Sequence, residues 1–138
     1  VGIALFGNNN VVEDIRADQS TGGGITPLGD SNIIRDNHVV GVHRSEGLAW
    51  GIYVDGRRNV VMNNDVADIT APDDNEVGIV LSNFSGTGTE FLAVNNRITG
   101  AREGIRFEHG ATGKYRDNLT SGVTTPFVGT GTDAGNNS

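Results

Sequence analysis

The sequence predicts an all-β solenoid of about five to six coils, each built from three short strands closed by an asparagine turn. Three observations predict it. A glycine followed by alternating aliphatic residues recurs along the chain, a polar turn and a second aliphatic run follow each copy, and no segment carries a convincing helical period. Glycine is 21 of 138 residues and aromatics are 6%, so turns are frequent and the expected core is thin and aliphatic.

The first strand of each coil reads GIALF at Gly2, GITPL at Gly24, GIYVD at Gly51, GIVLS at Gly78 and GIRFE at Gly104. The copies recur at similar but unequal intervals, within the range typical of a solenoid repeat. A weaker sixth copy, TPFVG, starts at Thr125. Period-two alternation marks a strand with one buried face. The inward set is Ile3/Leu5, Ile25/Pro27, Ile52/Val54, Ile79/Leu81 and Ile105/Phe107. The outward positions form two columns. One holds Ala4, Thr26, Tyr53, Val80, Arg106 and Phe127; the other holds Phe6, Leu28, Asp55, Ser82, Glu108 and Gly129.

The second element reads NNNVVEDIRA, DSNIIRDNHV, RRNVVMNNDV, TEFLAVNNRI and TGKYRDNLT. Its closing asparagines align as Asn37, Asn64, Asn96 and Asn118, with Ile15 in the first copy. Asparagine tolerates the left-handed backbone region, and stacked copies can pass amide hydrogen bonds from rung to rung. An aliphatic residue returns two positions later, at Val39, Val66 and Ile98, and predicts a third short strand. Loops of variable length (ADQSTGG, VHRSEGLAW, TAPDDNEV, TGARE) then lead to the next coil. Three strands per coil cannot bury their apolar faces alone; stacked, they enclose a continuous core.

These units, above all GIYVDGRRNVVMNNDV and GIVLS…FLAVNNRI, resemble right-handed parallel β-helix repeats of the pectin-lyase-like superfamily, over nearly the whole chain. The resemblance implies the fold more sharply than the activity, because one fold hosts many functions. It implies a carbohydrate-binding or polysaccharide-degrading protein of the lyase or hydrolase type, acting on extracellular polysaccharide at or outside the cell surface. The alternative it leaves is a non-catalytic structural or assembly module that self-associates through an apolar sheet face.

At about 4.8 Å per strand, five to six coils make a rod roughly 25 Å long. Solenoid ends expose open core and strand edges. The chain starts at Val1 without Met, and its C-terminal stretch, residues 129–138, reads as a polar, Gly-rich tail. Residues 1–138 are therefore expected to be one β-helix domain that either continues in a longer rod or covers its surfaces as a homo-oligomer. The adjacent Phe6 and Leu28 offer an apolar contact patch.

The polar cluster best placed for chemistry is Tyr53, Asp55, Arg57, Arg58, Arg106, Glu108 and His109. Asp55 and Glu108 occupy equivalent places two coils apart, about 9.6 Å by strand spacing. Inverting glycosidases separate their carboxyls by roughly 6.5–9.5 Å, so the pair sits at the upper edge of that range. The candidate catalytic set is Asp55, Arg106, Glu108 and Tyr53. Arg106 would serve as a base or as a clamp on an acidic sugar, and Tyr53 would stack on a ring or donate a proton. Arg57, Arg58 and His109 are the candidate substrate-binding residues. The competing reading is that these are solvated charges that keep an exposed sheet soluble.

Other clusters carry less. His38, His43, Arg44 and Glu46 share one strand and loop, but no third ligand follows at a known metal spacing. Asp73, Asp74 and Glu76 offer hard oxygens that suit calcium, in a loop unlike the D-x-D-x-D-G pattern. No cofactor and no metal site are otherwise expected. The net charge of −7, with no basic cluster beyond Arg57-Arg58, argues against a nucleic-acid partner. No apolar run is long enough to span a membrane. The absence of cysteine excludes disulfides and thiolate metal sites.

Overall fold

The computed structural model describes all residues 1–138. It contains fifteen strands and one turn of 3-10 helix at Pro72–Asp74. All inter-strand pairings are parallel, and they stack into a β-solenoid of about five turns. No helix is long and apolar enough to cross a membrane.

The first strands of successive coils are β1 (Ile3–Phe6), β4 (Gly23–Leu28), β7 (Ala49–Asp55) and β10 (Glu76–Ser82). The second strands are β2 (Val11–Glu13), β5 (Ile33–Arg35), β8 (Val60–Met62), β11 (Phe91–Val94), β13 (Gly113–Arg116) and β15 (Thr132–Asp133). The third strands are β3 (Arg16–Asp18), β6 (His38–His43) and β9 (Asp65–Thr70). In the last coils the expected loop between third and first strand is absent. β12 (Arg97–Glu108) and β14 (Leu119–Gly129) run through both positions and join two faces into one nine-stranded sheet. The bend falls at Gly100 and Gly122, whose backbones both lie in the left-handed region. Glycine enters that region without the penalty a Cβ would bring.

The predicted core row is in register: Ile25 pairs with Ile52, Ile52 with Ile79, and Ile79 with Ile105, each fully buried. Each such side chain contributes roughly 1.5–3 kcal/mol of burial. Ile34, Val61 and Ala93 close the bore from the second strands, and Val39, Val66 and Ile98 from the third. The Gly that opens each first strand is there for space. A Cβ on Gly51 would collide with Val66 Cγ1 and lie 2.6 Å from the Gly78 carbonyl, and Gly24 and Gly78 meet the same obstruction from Val39 and Ile98.

The expected asparagine stack is present. Asn37, Asn64, Asn96 and Asn118 are buried, and each side-chain oxygen accepts from the backbone N–H of the residue one coil below. Each Nδ2 donates to a carbonyl: Val12, Ile34, Val61 and Ala93 in turn. The left-handed conformation belongs to the residue before each rung, at Asp36, Asn63, Asn95 and Asp117. The rung asparagine acts through its amide. Asn137 supplies a further rung, and Thr132–Asp133 pair with β13, so the polar C-terminal stretch carries the last second strand.

The register of the sixth first strand differs from expectation by one residue. Phe127 pairs with Ile105 and faces inward, where it stacks on Tyr115 at 4.6 Å, and Val128 takes the place opposite Arg106. Gly129 likewise lies opposite Phe107 and not in line with Glu108. A one-residue slip exchanges the two faces of a strand, and no opening glycine marks this copy.

Candidate functional site

Tyr53, Val80 and Arg106 lie in register on the outer face of the first sheet, and Asp55, Ser82 and Glu108 form the neighbouring column. The register thus sets Asp55 and Glu108 two coils apart, as the repeat predicts. Residues 83–90, between β10 and β11, fold over this face. Ser85 donates from its backbone N–H to Asp55 Oδ2 at 3.0 Å and from Oγ to Asp55 Oδ1 at 3.1 Å. Asp55 is therefore only 7% exposed. Both of its carboxylate oxygens are occupied.

The Tyr53 hydroxyl donates to Ser82 Oγ at 2.9 Å. Burial is the main cause that pushes the phenol up from its ordinary range; the Ser82 bond opposes this, and the Glu108 and Asp55 charges add to it. Tyr53 stays a neutral donor. Arg106 Nε donates to Glu103 Oε2 at 2.6 Å, and its Nη1 lies 3.7 Å from Glu108 Oε2. The Glu103 bond holds the guanidinium firmly charged, against the opposing effect of burial. A cation fixed this way suits a clamp and opposes service as a base.

His109 Nε2 lies 3.5 Å from Glu108 Oε1, and the imidazole meets Phe84 edge-on at 5.7 Å between centroids. Phe84 is 77% exposed. That is an unusual position for a phenylalanine, a residue type more often buried. The face therefore presents a bare aromatic ring against an imidazole, which neighbours the Glu108 carboxylate and, through it, the Arg106 guanidinium. Sequence reasoning missed Glu103, Ser85 and Phe84. The available signal for the last two was the insertion itself, since NFSGTGTE replaces the short turn GRR of the preceding coil.

Two predicted residues lie apart. Arg57 donates from Nε and Nη2 to Asp30 Oδ2, at 3.2 and 3.0 Å, and its backbone N–H bonds Asp30 Oδ1 at 2.8 Å. That backbone bond first, then the guanidinium, holds the Asp30 carboxyl below its ordinary value of 3.8. Arg58 has a left-handed backbone and lines a depression on the second sheet. The surface has three depressions, of about 590, 290 and 460 Å³, and none is lined by Tyr53, Asp55, Arg106 or Glu108. No group of three or more His, Asp or Glu side chains converges as metal donors. In the acidic loop Asp74 turns to Arg102 at 2.6 Å, and Glu76 accepts from the Ala71 N–H at 3.4 Å.

Trp50 packs the preceding loop onto the coil, with Nε1 donating to Thr26 Oγ1 at 3.0 Å and Arg44 over its ring at 5.8 Å. Compared with known proteins, the chain matches no family model, no curated protein and no solved structure.

Proposed function

We propose that the chain is a carbohydrate-binding β-solenoid that holds an extended polysaccharide against the outer face of its first sheet. The observation that carries this reading is Phe84, exposed and edge-on to His109, whose imidazole neighbours Glu108 and, through it, Arg106. A bare aromatic face suits the C–H face of a sugar ring, and charged groups at its margin suit hydroxyls. The likeness of the coils to pectin-lyase-like repeats supports the same ligand class. Binding fits the site better than cleavage does. Asp55, Glu108 and Arg106 are all engaged by neighbours, and the face has no cavity to exclude water. The test is calorimetric titration with a panel of neutral and acidic soluble polysaccharides, alongside an assay for new reducing ends and unsaturated uronates. Binding that Phe84→Ala weakens, without new ends, supports the reading. Failure of every polymer to bind contradicts it.

A second reading, self-association, is favoured by one observation. Phe6 is 77% exposed and pairs in register with Leu28. A Phe6→Glu variant that lowers the mass in solution would support it; a wild-type chain monomeric at high concentration would exclude it.

A further inference from the structure

The chain has ten Lys and Arg side chains. Seven arginines make ion pairs, and Arg44 donates to the Leu48 carbonyl. Arg58 and Lys114 do neither, and in this acidic chain both line the same depression, the largest on the molecule at about 590 Å³. It lies on the outer face of the second sheet, and neither Tyr53 nor Arg106 nor Phe84 lines it.

The stacking of coils determines its layout. Val60, Leu92, Lys114 and Thr132 form one in-register column. Arg58 and Glu90 stand two residues before Val60 and Leu92 and so form a parallel column at the corner. Lys114 is two coils from Val60, so the backbones of the two cations face each other across a diagonal of the sheet. Strand spacing and residue rise together make that diagonal about 12 Å. Between the cations lie the apolar Val60 and the 42%-exposed Leu92, with the Glu90 carboxylate at one edge.

We propose that this depression is a second carbohydrate site, specific for a uronic acid residue. Val60 and Leu92 offer a floor to the apolar face of a pyranose ring. Arg58 and Lys114 supply the positive charge that a single carboxylate requires, and Arg58 can receive it in a fork. Glu90 and Thr132 accept from ring hydroxyls. Glu90 also cancels one of the two positive charges, which matches a ligand with one negative charge per sugar and disfavours a densely charged phosphate chain. A sugar without a carboxylate leaves the remaining positive charge unanswered. This site goes beyond the first-sheet reading and stands without it.

The test is an NMR titration of the 138-residue chain with trimers of galacturonate, mannuronate and guluronate, each paired with its carboxyl-reduced neutral counterpart, and with inorganic sulfate. The expected result is that at least one uronate trimer shifts the backbone amides of Leu92 and Lys114 while its neutral partner and sulfate do not. Arg58→Met and Lys114→Met, both at exposed positions, should each weaken that binding about tenfold or more with the amide spectrum otherwise retained. Phe84→Ala should leave it unchanged, which separates this site from the first-sheet face. Absence of these shifts with all three trimers at millimolar concentration overturns the proposal. So does equal binding of a neutral trimer, reproduction of the shifts by sulfate alone, or unweakened binding by both methionine variants.

Discussion

Two corners of the solenoid carry asparagine stacks, yet the stacks have different fates along the rod. Between the second and third strands the stack runs unbroken from the Ile15 N–H through Asn37, Asn64, Asn96 and Asn118 to Asn137. Between the first and second strands a parallel stack links Asn10, Asn32 and Asn59, with Asn32 and Asn59 also bonding the Gly7 and Gly29 carbonyls, and there it stops. In the next coil Phe91 takes the rung position, fully buried in the core, and residues 83–90 replace the short turn. A corner clamped by buried amides at every level has one backbone path. A corner released from the clamp can carry insertions and project side chains. Arg57, Arg58, Phe84, Ser85, Glu90 and His109 all lie at the released corner, so both proposed contact surfaces flank it.

The difference predicts a hierarchy of effects. Asn64→Ala should be the most damaging. Asn64 makes four side-chain hydrogen bonds at the continuous corner, and its loss leaves several buried groups unpaired. Chemical denaturation should show a cost of about 3 kcal/mol or more. Asn59→Ala removes two such bonds beside the end of the shorter stack. It should cost about 2 kcal/mol, and an equal or larger loss than Asn64→Ala would remove the distinction between corners. Phe84→Ala should weaken polysaccharide binding, and the exposed ring contributes little to the core. Its stability should therefore stay within about 0.5 kcal/mol of the parent chain.

The smallest effect concerns acid. Asp30, held by Arg57, and Asp117, held first by Arg116 and then by Asn136, both have carboxyls below their ordinary 3.8. A carboxyl with a depressed folded value contributes its stability above the unfolded value and loses it as pH falls through the folded one. The melting temperature should therefore be insensitive to these two groups at neutral pH and should drop below about pH 4. Asp30→Asn and Asp117→Asn should each flatten that acid limb, and both sites are exposed enough that the change should be slight.

The sequence carried the fold because the coil leaves marks at fixed places. Gly24, Gly51 and Gly78 are required where the third strand of the same coil crowds the first, and Asn37, Asn64, Asn96 and Asn118 are required where amides stack; both produce aligned columns. The second stack is harder to read, although NVV at Asn10, NII at Asn32 and NVV at Asn59 repeat its motif, because it spans three coils and ends at Phe91. The register of Phe127 was illegible without a marker glycine. The site was less legible than the fold for a physical reason. Spacing places Tyr53, Asp55, Arg106 and Glu108 on one face, but which charges remain free depends on partners from elsewhere in the fold. Ser85 reaches Asp55 from an inserted loop and Glu103 holds Arg106 from three residues earlier in the same strand, while Arg58 and Lys114 make no ion pair and share their depression with one carboxylate, Glu90.

Native-state hydrogen exchange measured residue by residue tests the contrast between the corners most directly. The backbone amides of Asn37, Asn64 and Asn96 are each bound to a side-chain oxygen one coil away. They should exchange only with global unfolding, and those of Thr87 and Glu90 in the inserted loop, which donate no hydrogen bond, should exchange orders of magnitude faster. Comparable protection at the two corners, or rapid exchange at Asn64, would contradict the account.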